Sequence, residues 1–378
     1  MINKNIFLLS LVFLFFSFKS YSFETKAETA FLLDTLSDTV LFEKKGDVPY
    51  GPASMSKMML TYLVFEKLQN GSLNLQEEFL VSKKAWKFGG SKMFVKVGDR
   101  VSVNDLLKGV IIQSGNDACI VLAEGISGSE ENMVNEMNNK ANEIGLTNTK
   151  FQNVTGWPDK NHYMSARDIA YLSKDLIEKF PEYYHLFSIR EFTYNEIKQL
   201  NRNRLLNYDG YDGLKTGRTT QTGYGLAGSY TKGNRRIISV VNGLNSDNER
   251  IKATTRLTNW AFRNFETYQI FSENQVVSKS KVWLGKKPFI SLLSQEDINI
   301  TVSKENLDKL KITAVYESPI SAPIKTGDKL GKLIIYNGEN EIIKDLIAKE
   351  DIGIANRFSR SFSIINYLIF GISSPEKK

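Results

Sequence analysis

Three short motifs carry the residues that could do chemistry in this chain. In order along the sequence they are Ser54-Met55-Ser56-Lys57, Ser114-Gly115-Asn116 and Lys215-Thr216-Gly217. A serine hydroxyl is a poor nucleophile until a base takes its proton, and a lysine can be that base when its pKa is lowered. The motifs therefore indicate nucleophilic catalysis by Ser54. The side chains expected to take part are Ser54, Lys57, Ser114, Asn116 and Lys215.

Short patterns of this kind also recur by chance, so their structural context has to decide between the copies. Ser-x-x-Lys is repeated at Ser278 and Ser374, and Lys-Thr-Gly is repeated at residues 325–327. Only Ser54 and Lys57 are expected at the start of a helix, where residues three apart share a face. Ser278 lies in a strand-like run, and Ser374 lies in a tail beside a proline. The second Lys-Thr-Gly is predicted to be a turn.

The expected position of Lys57 explains how its amine could become a base. A helix and a strand would enclose it opposite Lys215, so burial and like-charge repulsion would both lower its pKa. The helix N-terminus adds positive potential at Ser54, and the backbone N–H groups of Ser54 and Arg218 are candidates for an oxyanion hole. Proton transfer and binding of the substrate amide are assigned to Ser114 and Asn116.

The composition is that of a globular protein and argues against several other classes. The chain has 378 residues, of which 42% are hydrophobic and 24% charged, enough for a large domain and a smaller companion. One cysteine and two histidines cannot form an internal disulfide or an ordinary tetrahedral zinc site. The formal charge of +7 comes from dispersed lysines, so no nucleic-acid partner is predicted. Cys119, in an apolar run, is interpreted as a small buried hydrophobe.

Apolar periodicity predicts an α/β core that is split in sequence by a helical lobe. In chain order the expected elements are a hairpin over residues 30–33 and 39–42, a buried helix from Ala53 or Ser54, a mostly helical stretch from about 81 to 187, strands at 223–230 and 236–241, and a helix over 253–265. Beyond Ser272, short alternating runs divided by Gly, Asn and Pro predict a small all-β domain.

The N-terminus has the features of an export signal. Residues 1–22 combine Lys4, an apolar run from Ile6 to Phe18, and small residues around a cleavage point. The expected division of the remaining chain is a catalytic domain at 23–268 and a β-rich domain at 272–350.

The C-terminal segment, residues 354–372, is predicted to be an amphipathic helix. Its apolar stripe consists of Ile354, Phe358, Phe362, Ile365 and Ile369. The apolar run is too short to span a bilayer, so we interpret it as an in-plane anchor on an anionic membrane surface. Docking of this helix on its own protein is the alternative.

Taken together, the motifs make the chain similar to a known family. It resembles the low-molecular-mass penicillin-binding proteins, which are serine D-alanyl-D-alanine carboxypeptidases (peptidase S11 type) of the serine β-lactamase and transpeptidase superfamily. The resemblance covers essentially the whole mature chain and includes residues 52–57, 90–94, 114–118, 165–168 and 212–217. It implies an α/β domain, with an antiparallel sheet flanked by helices and a helical lobe, followed by a small all-β domain and a C-terminal amphipathic helix.

The resemblance also implies an activity and a location. The terminal D-Ala-D-Ala of a peptidoglycan stem peptide would acylate Ser54, the last D-alanine would leave, and water would hydrolyse the acyl-enzyme. Penicillin and other β-lactams should acylate the same serine, and no cofactor is implied. The expected location is the periplasmic face of the bacterial inner membrane.

Further residues are assigned to substrate binding by the same resemblance. They are Thr216, Gly217, Arg218, Arg250 and Arg202, with a surface salt bridge as the alternative for the last two. Two departures from the family pattern concern pH dependence and substrate preference: Arg218 stands where a histidine often follows Lys-Thr-Gly, and Thr155-Gly156-Trp157 replaces a common His-Gly-Leu. His162, near Ser165, is interpreted as a structural hydrogen-bonding residue.

Three other functions fit parts of the sequence. A β-lactamase shares the serine and lysine chemistry, but it needs neither the β domain nor the anchor helix, and no glutamate is clearly placed to activate a deacylating water. A D,D-endopeptidase acting on cross-links is an alternative within the same superfamily. A catalytically silent scaffold is the third, and the intact Ser54, Lys57 and Lys215 argue against it.

Overall fold

The computed structural model describes residues 23–337 and 340–370. A five-stranded sheet forms its first layer, with strand order β2-β1-β9-β8-β7, and every neighbouring pair is antiparallel. The five strands are β1 Thr29–Asp34, β2 Thr39–Lys44, β7 Tyr211–Thr219, β8 Gly223–Lys232 and β9 Arg235–Leu244. The predicted hairpin is β1 and β2, so that prediction is confirmed.

Strand β1 shows why this sheet carries helices on both faces. All of its residues are buried, and successive side chains point to opposite faces. Phe31 and Leu33 belong to one apolar core, whereas Ala30 and Leu32 belong to another. The first core is shared with the helical lobe, and the second is shared with helix α8, Asp247–Asn264.

The helical lobe lies in sequence between β2 and β7, as the apolar pattern predicts. Its long central helix, Lys57–Gln69, is buried on nearly all sides. Cys119 is fully buried in this lobe, as expected, and its thiol donates to the carbonyl of Gly115. The helices are α1 Lys57–Gln69, α2 Lys83–Lys87, α3 Val103–Lys108, α4 Asn116–Ser127, α5 Glu130–Glu143, α6 Ala166–Lys179 and α7 Pro181–Tyr184. Two small antiparallel sheets pair β3 Glu78–Leu80 with β4 Arg100–Ser102 and β5 Glu191–Tyr194 with β6 Ile197–Leu200.

A β-rich region follows helix α8 and has its own apolar core. It contains a six-stranded sheet of order β14-β16-β17-β12-β11-β15 and a separate pair, β10 with β13. The strands are β10 Phe265–Phe271, β11 Val276–Trp283, β12 Phe289–Ser294, β13 Ile298–Ser303, β14 Lys311–Tyr316, β15 Ile320–Ser321, β16 Lys329–Asn337 and β17 Asn340–Ala348. The carboxylate of Asp34 connects this region to the first sheet, because it accepts from Arg235, Thr267 and Thr301.

Two of the three repeated motifs lie where the sequence predicts. Ser278 is in strand β11, and residues 325–328 form a turn in which Asp328 N–H donates to the carbonyl of Lys325. Ser374 and the predicted export signal lie outside the described residues.

Two helix boundaries differ from the prediction. Helix α8 begins at Asp247 rather than Ala253, because the Ser246 hydroxyl accepts from Glu249 N–H and caps the helix there. The terminal helix α9, Arg357–Phe370, excludes Ile354, which instead forms a β-bridge with Gly285. None of the helices in residues 23–337 and 340–370 has the length and apolar character needed to cross a membrane.

Candidate active site

Ser54 lies in a short 3₁₀ helix, Ala53–Ser56, that leads directly into α1. A 3₁₀ helix has three residues per turn, so side chains three apart eclipse each other. Lys57, the first residue of α1, therefore stands over Ser54, and its Nζ atom is 2.7 Å from the Ser54 hydroxyl oxygen. The spacing of the Ser-x-x-Lys motif is what creates this contact.

Two oxygen atoms fix the orientation of the Lys57 amine. Nζ is 2.8 Å from Oδ1 of Asn116 and 2.6 Å from the carbonyl oxygen of Thr155. Both oxygens can only accept, so a neutral amine donates its two hydrogens to them. The lone pair is then left facing the hydroxyl of Ser54, which is the arrangement that a general base requires.

Burial is the reason that Lys57 can be neutral. The side chain is fully buried, and this lowers its pKa to about 8, although the nearby charge of Asp117 opposes the shift. The repulsion between Lys57 and Lys215 that the sequence predicted is also present. The pKa of Lys215 lies well below its usual range, first because of burial and then because of the charge of Lys57.

Lys215 forms a second lysine–serine pair beside the first. It lies in strand β7, and its Nζ atom donates to the hydroxyl of Ser114 over 2.9 Å. Ser114 ends a π-helical turn, Gly109–Gln113, and has a left-handed backbone with φ of 65°. Strained backbone of this kind is frequent at functional sites, and here it directs the hydroxyl toward β7.

Asn116 and Asp117 open helix α4 and hold the segment in front of it. The Asn116 amide donates to the carbonyl of Gly89 over 2.8 Å, while its Oδ1 contacts Lys57. The Asp117 carboxylate accepts from the backbone N–H groups of Met93 and Phe94. Sequence reasoning gave Asp117 no role, although an acidic residue in the first turn of an apolar helix was a possible signal.

Two glycines bring the neighbouring chains against the nucleophile. Gly156 has φ of +78°, and a Cβ atom there would lie 1.8 Å from the carbonyl oxygen of Ala53. A Cβ atom on Gly217 would lie 2.5 Å from the carbonyl oxygen of Pro52. The absence of side chains lets Thr155 reach Lys57 on one side and lets β7 reach Ser54 on the other. The Thr155 carbonyl was not predicted, since backbone atoms leave no residue-type signal.

An open cleft of about 710 Å³ gives access to these groups. Lys57 and Lys215 are buried and contact it through the hydroxyls of Ser54 and Ser114. All five residues that the sequence assigned to substrate binding line the cleft. They are Thr216, Gly217, Arg218, Arg250 and Arg202, and they share it with Ser54, Ser91, Ser114, Gln199, Arg204, Tyr224 and Asp247, among others.

Comparison with known proteins places this geometry in a family. Residues 17–246 match the family described as D-alanyl-D-alanine carboxypeptidase, and residues 265–353 match the C-terminal domain of penicillin-binding protein 5. The chain belongs to the D-alanyl-D-alanine carboxypeptidase family. It is 39% identical to D-alanyl-D-alanine carboxypeptidase DacF of Bacillus subtilis over 86% of each chain. It is also 39% identical to DacC of Escherichia coli, over 88% of this chain and 86% of that relative.

A solved carboxypeptidase-family structure shares the fold. Penicillin-binding protein 5 of Haemophilus influenzae superposes with a TM-score of 0.82 and 36% identity, covering 88% of this chain and 99% of the other. The expected fold class, an α/β domain with an antiparallel sheet and a helical lobe followed by a β domain, is therefore confirmed.

The carboxypeptidase cleft has a wall of arginines whose environments differ. Arg250 is buried, pairs with Asp247 and donates to the carbonyls of Gly217 and Gly225, and burial lowers its pKa. The alternative of a surface salt bridge therefore does not describe Arg250. Arg202 and Arg218 are exposed, and the Arg218 guanidinium stacks 4.9 Å from the ring of Tyr224.

One more arginine in this carboxypeptidase cleft was not singled out from the sequence. Arg204 donates to Asp247 over 2.9 Å and to Asn248 over 3.1 Å. Its position at the end of the cleft comes from the 3₁₀ turn Arg204–Asn207, for which the sequence offered no strong pattern.

His162 lies behind the nucleophile rather than in the cleft. Its Nδ1 accepts from Gln152 N–H over 3.1 Å, so Nε2 carries the proton and donates to the Ser56 hydroxyl over 2.7 Å. Burial lowers the pKa of His162 to about 4, which keeps the ring neutral near pH 7. The interpretation of His162 as a structural hydrogen-bonding residue is confirmed.

Proposed function

We propose that this chain is a serine D,D-carboxypeptidase that removes the terminal D-alanine of peptidoglycan pentapeptides through an acyl-enzyme on Ser54. The observation that carries the proposal is the 2.7 Å contact between Lys57 Nζ and the Ser54 hydroxyl, with the other amine contacts occupied by acceptors. Family membership gives the substrate class, because the relatives are named D-alanyl-D-alanine carboxypeptidases.

Acylation begins when the Ser54 proton moves to Lys57. The hydroxyl oxygen then attacks the carbonyl carbon of the penultimate D-alanine, and that carbonyl becomes a tetrahedral oxyanion. The backbone N–H groups of Ser54 and Arg218 would donate to this oxygen. The close approach of Gly217 to Pro52 supports the pairing, since it puts the end of β7 beside the nucleophile.

The leaving D-alanine requires a proton on its nitrogen. Ser114 is assigned to deliver it, while Lys215, 2.9 Å away, replaces the proton that Ser114 gives up. The C–N bond breaks, D-alanine departs and the acyl group stays on Ser54. Lys57 passes the proton that it took from Ser54 to the Ser114–Lys215 pair and is neutral again. A water molecule then attacks the ester carbonyl and loses a proton to Lys57. Lys57 returns this proton to the Ser54 oxygen as the ester C–O bond breaks, which releases the shortened peptide and restores the Ser54 hydroxyl.

The arginine wall is proposed to bind the terminal carboxylate of the substrate. Arg202, Arg218 and Arg250 line the cleft together with Thr216 and Gly217. Guanidinium groups suit carboxylates because they donate in a planar, two-pronged geometry. A requirement for a free carboxylate would distinguish a carboxypeptidase from an endopeptidase.

Location at a membrane surface is also part of the proposal. We assign residues 1–22 as an export signal, 23–268 and 272–350 as the two domains, and 354–372 as an anchor on anionic lipid at the periplasmic face. Helix α9 supports this assignment, because Phe358, Leu368 and Ile369 are 92%, 75% and 65% exposed. Deletion of residues 354–378 should release the protein from membranes. Continued tight membrane association of the deleted chain would contradict the anchor.

The catalytic proposal is tested by mass spectrometry and by product release. Protein incubated with penicillin should gain the mass of one penicillin on the peptide that contains Ser54, and Ser54→Ala should gain none. The protein should also release the terminal alanine from a pentapeptide ending in D-Ala-D-Ala but not from one ending in D-Ala-L-Ala. A chain that neither binds penicillin nor releases D-alanine would overturn the proposal.

A further inference from the structure

A line of shallow depressions leaves the active-site cleft and follows helix α8. The cleft shares Arg204 with a depression of about 120 Å³, which shares Tyr208 with one of about 550 Å³. This second depression shares Tyr230 with a third, of about 360 Å³, that ends at Arg263. The depressions therefore form one track, and at ~1.5 Å per residue α8 carries it roughly 24 Å from Asp247 to Arg263.

Aromatic rings and amides dominate the surface of this track. Tyr208 is 52% exposed, and Tyr211 and Tyr230 are partly exposed and meet edge to face with ring centroids 4.8 Å apart. The amides of Asn207 and Asn259 lie on the exposed surface beside these rings. Such a surface offers apolar faces and hydrogen-bonding groups side by side.

Cations outnumber anions along the track. Lys252 lines the depression next to the cleft, and Lys232 and Arg263 line the depression at the far end. Asp209 is the acidic residue among those that line the three depressions beyond the cleft. A ligand with several carboxylates, spaced along its length, fits this distribution of charge.

We infer that the track binds the glycan strand of peptidoglycan while one of its stem peptides occupies the cleft. Sugar rings present apolar C–H faces to aromatic side chains, and their hydroxyl and acetamido groups hydrogen-bond with amides. The carboxylates of neighbouring stem peptides would meet Lys252 and Lys232. The open, connected shape favours a polymer over a small ligand, which needs a concave pocket that buries most of its surface.

This inference rests on the proposed function, and a comparison of two substrates tests it. The rate of D-alanine release would be measured for free pentapeptide and for uncrosslinked glycan strands that carry the same pentapeptide. Tyr208→Ala and Asn259→Ala should lower kcat/KM about 5- to 10-fold for the strands and leave the free peptide within about 2-fold. The matched control is Tyr336→Ala, since Tyr336 is 40% exposed and belongs to the β-rich region.

The outcomes separate the two proposals. If the unmutated chain releases no D-alanine from free pentapeptide, the proposed function fails. If it acts on both substrates and Tyr208→Ala changes neither, or both equally, the glycan track is overturned while the activity stands.

A binding measurement gives a second readout that does not depend on turnover. In the Ser54→Ala background, peptide-free glycan strands should bind, and Tyr208→Ala should weaken this binding about 5-fold or more. Unchanged glycan binding, or a loss of binding to anionic lipid vesicles alone, would overturn the assignment to glycan.

Discussion

Gly156 packs so closely against Ala53 that a Cβ atom on Gly156 would lie 1.8 Å from the Ala53 carbonyl oxygen. Ala53 itself has a positive φ of 51°, which is uncommon for a residue with a side chain. The turn that carries Ser54 and the loop that carries the Thr155 carbonyl are thus in direct contact through backbone atoms of Ala53 and Gly156. Any atom added at this contact must move the nucleophile, the base or both.

Gly156→Ala should therefore lower the rate of acylation, because the added methyl group must displace Ser54 or the Thr155 carbonyl that orients Lys57. We expect the rate of acylation by labelled penicillin to fall by about 10²-fold or more, since displacement of a catalytic group by ~1 Å can cost that much. The matched control is Gly145→Ala, because Gly145 has a similar φ of +77° but nothing within 4 Å of its Cβ position. Both variants carry the strain of a left-handed residue, so equal acylation rates in the two would contradict the prediction.

The acylation rate should rise with pH because the base must be neutral. The pKa of Lys57 is about 8, so the neutral fraction grows about tenfold per pH unit below that value and levels off above it. The second-order rate of penicillin acylation, measured from pH 6 to 9, should follow this curve. Lys57→Arg should stay inactive throughout, because a guanidinium does not deprotonate in this range. A flat profile between pH 6 and 8 would show that Lys57 is not the base.

Asp117→Asn should change stability and pH dependence together. An amide cannot accept all the N–H bonds that the carboxylate accepts from Met93 and Phe94, and an unsatisfied buried donor costs about 1–3 kcal/mol. Loss of the negative charge also disfavours the ammonium form of Lys57, so the pH midpoint of acylation should move below about 8. Urea unfolding and the acylation profile measure the two effects.

Asp105→Asn is the control for that experiment. Asp105 also lies in the first turn of a helix, but its partner Lys108 is 3.9 Å away and both side chains are partly exposed. The pH midpoint of acylation should therefore be the same in Asp105→Asn as in the unmutated protein. A shift of equal size in both variants would mean that the net charge of the protein, and not the charge of Asp117 near Lys57, sets the pH midpoint.

The sequence was most informative where spacing alone decides geometry. Ser54 and Lys57 are three residues apart in a 3₁₀ turn, and that number is sufficient to bring the two side chains together. The sequence also contains a signal for the start of α8, because Ser246 and Glu249 have the spacing of a capping box. The prediction of a start at Ala253 did not use this signal.

Contacts between distant backbone segments could not be read in this way. The Thr155 carbonyl is 98 residues from Lys57 in sequence, and every residue type has the same carbonyl. Strand β7 was not recognised as a strand, since Gly213, Lys215 and Gly217 interrupt its apolar pattern and all three are buried. These residue types are needed because β7 runs directly beside the nucleophile, and only the tertiary structure shows that proximity.

The two Lys-Thr-Gly sequences give a direct test of this dependence on context. Lys215→Met should lower penicillin acylation about 10²- to 10⁴-fold, because Ser114 loses the partner that replaces its proton. Lys325→Met should leave the rate unchanged, since Lys325 is exposed in a turn of the β-rich region. Removal of a buried amine should not destabilise the fold, so unfolding by heat gives an independent check that Lys215→Met is native. Comparable acylation rates for the two methionine variants would exclude Lys215 from the mechanism.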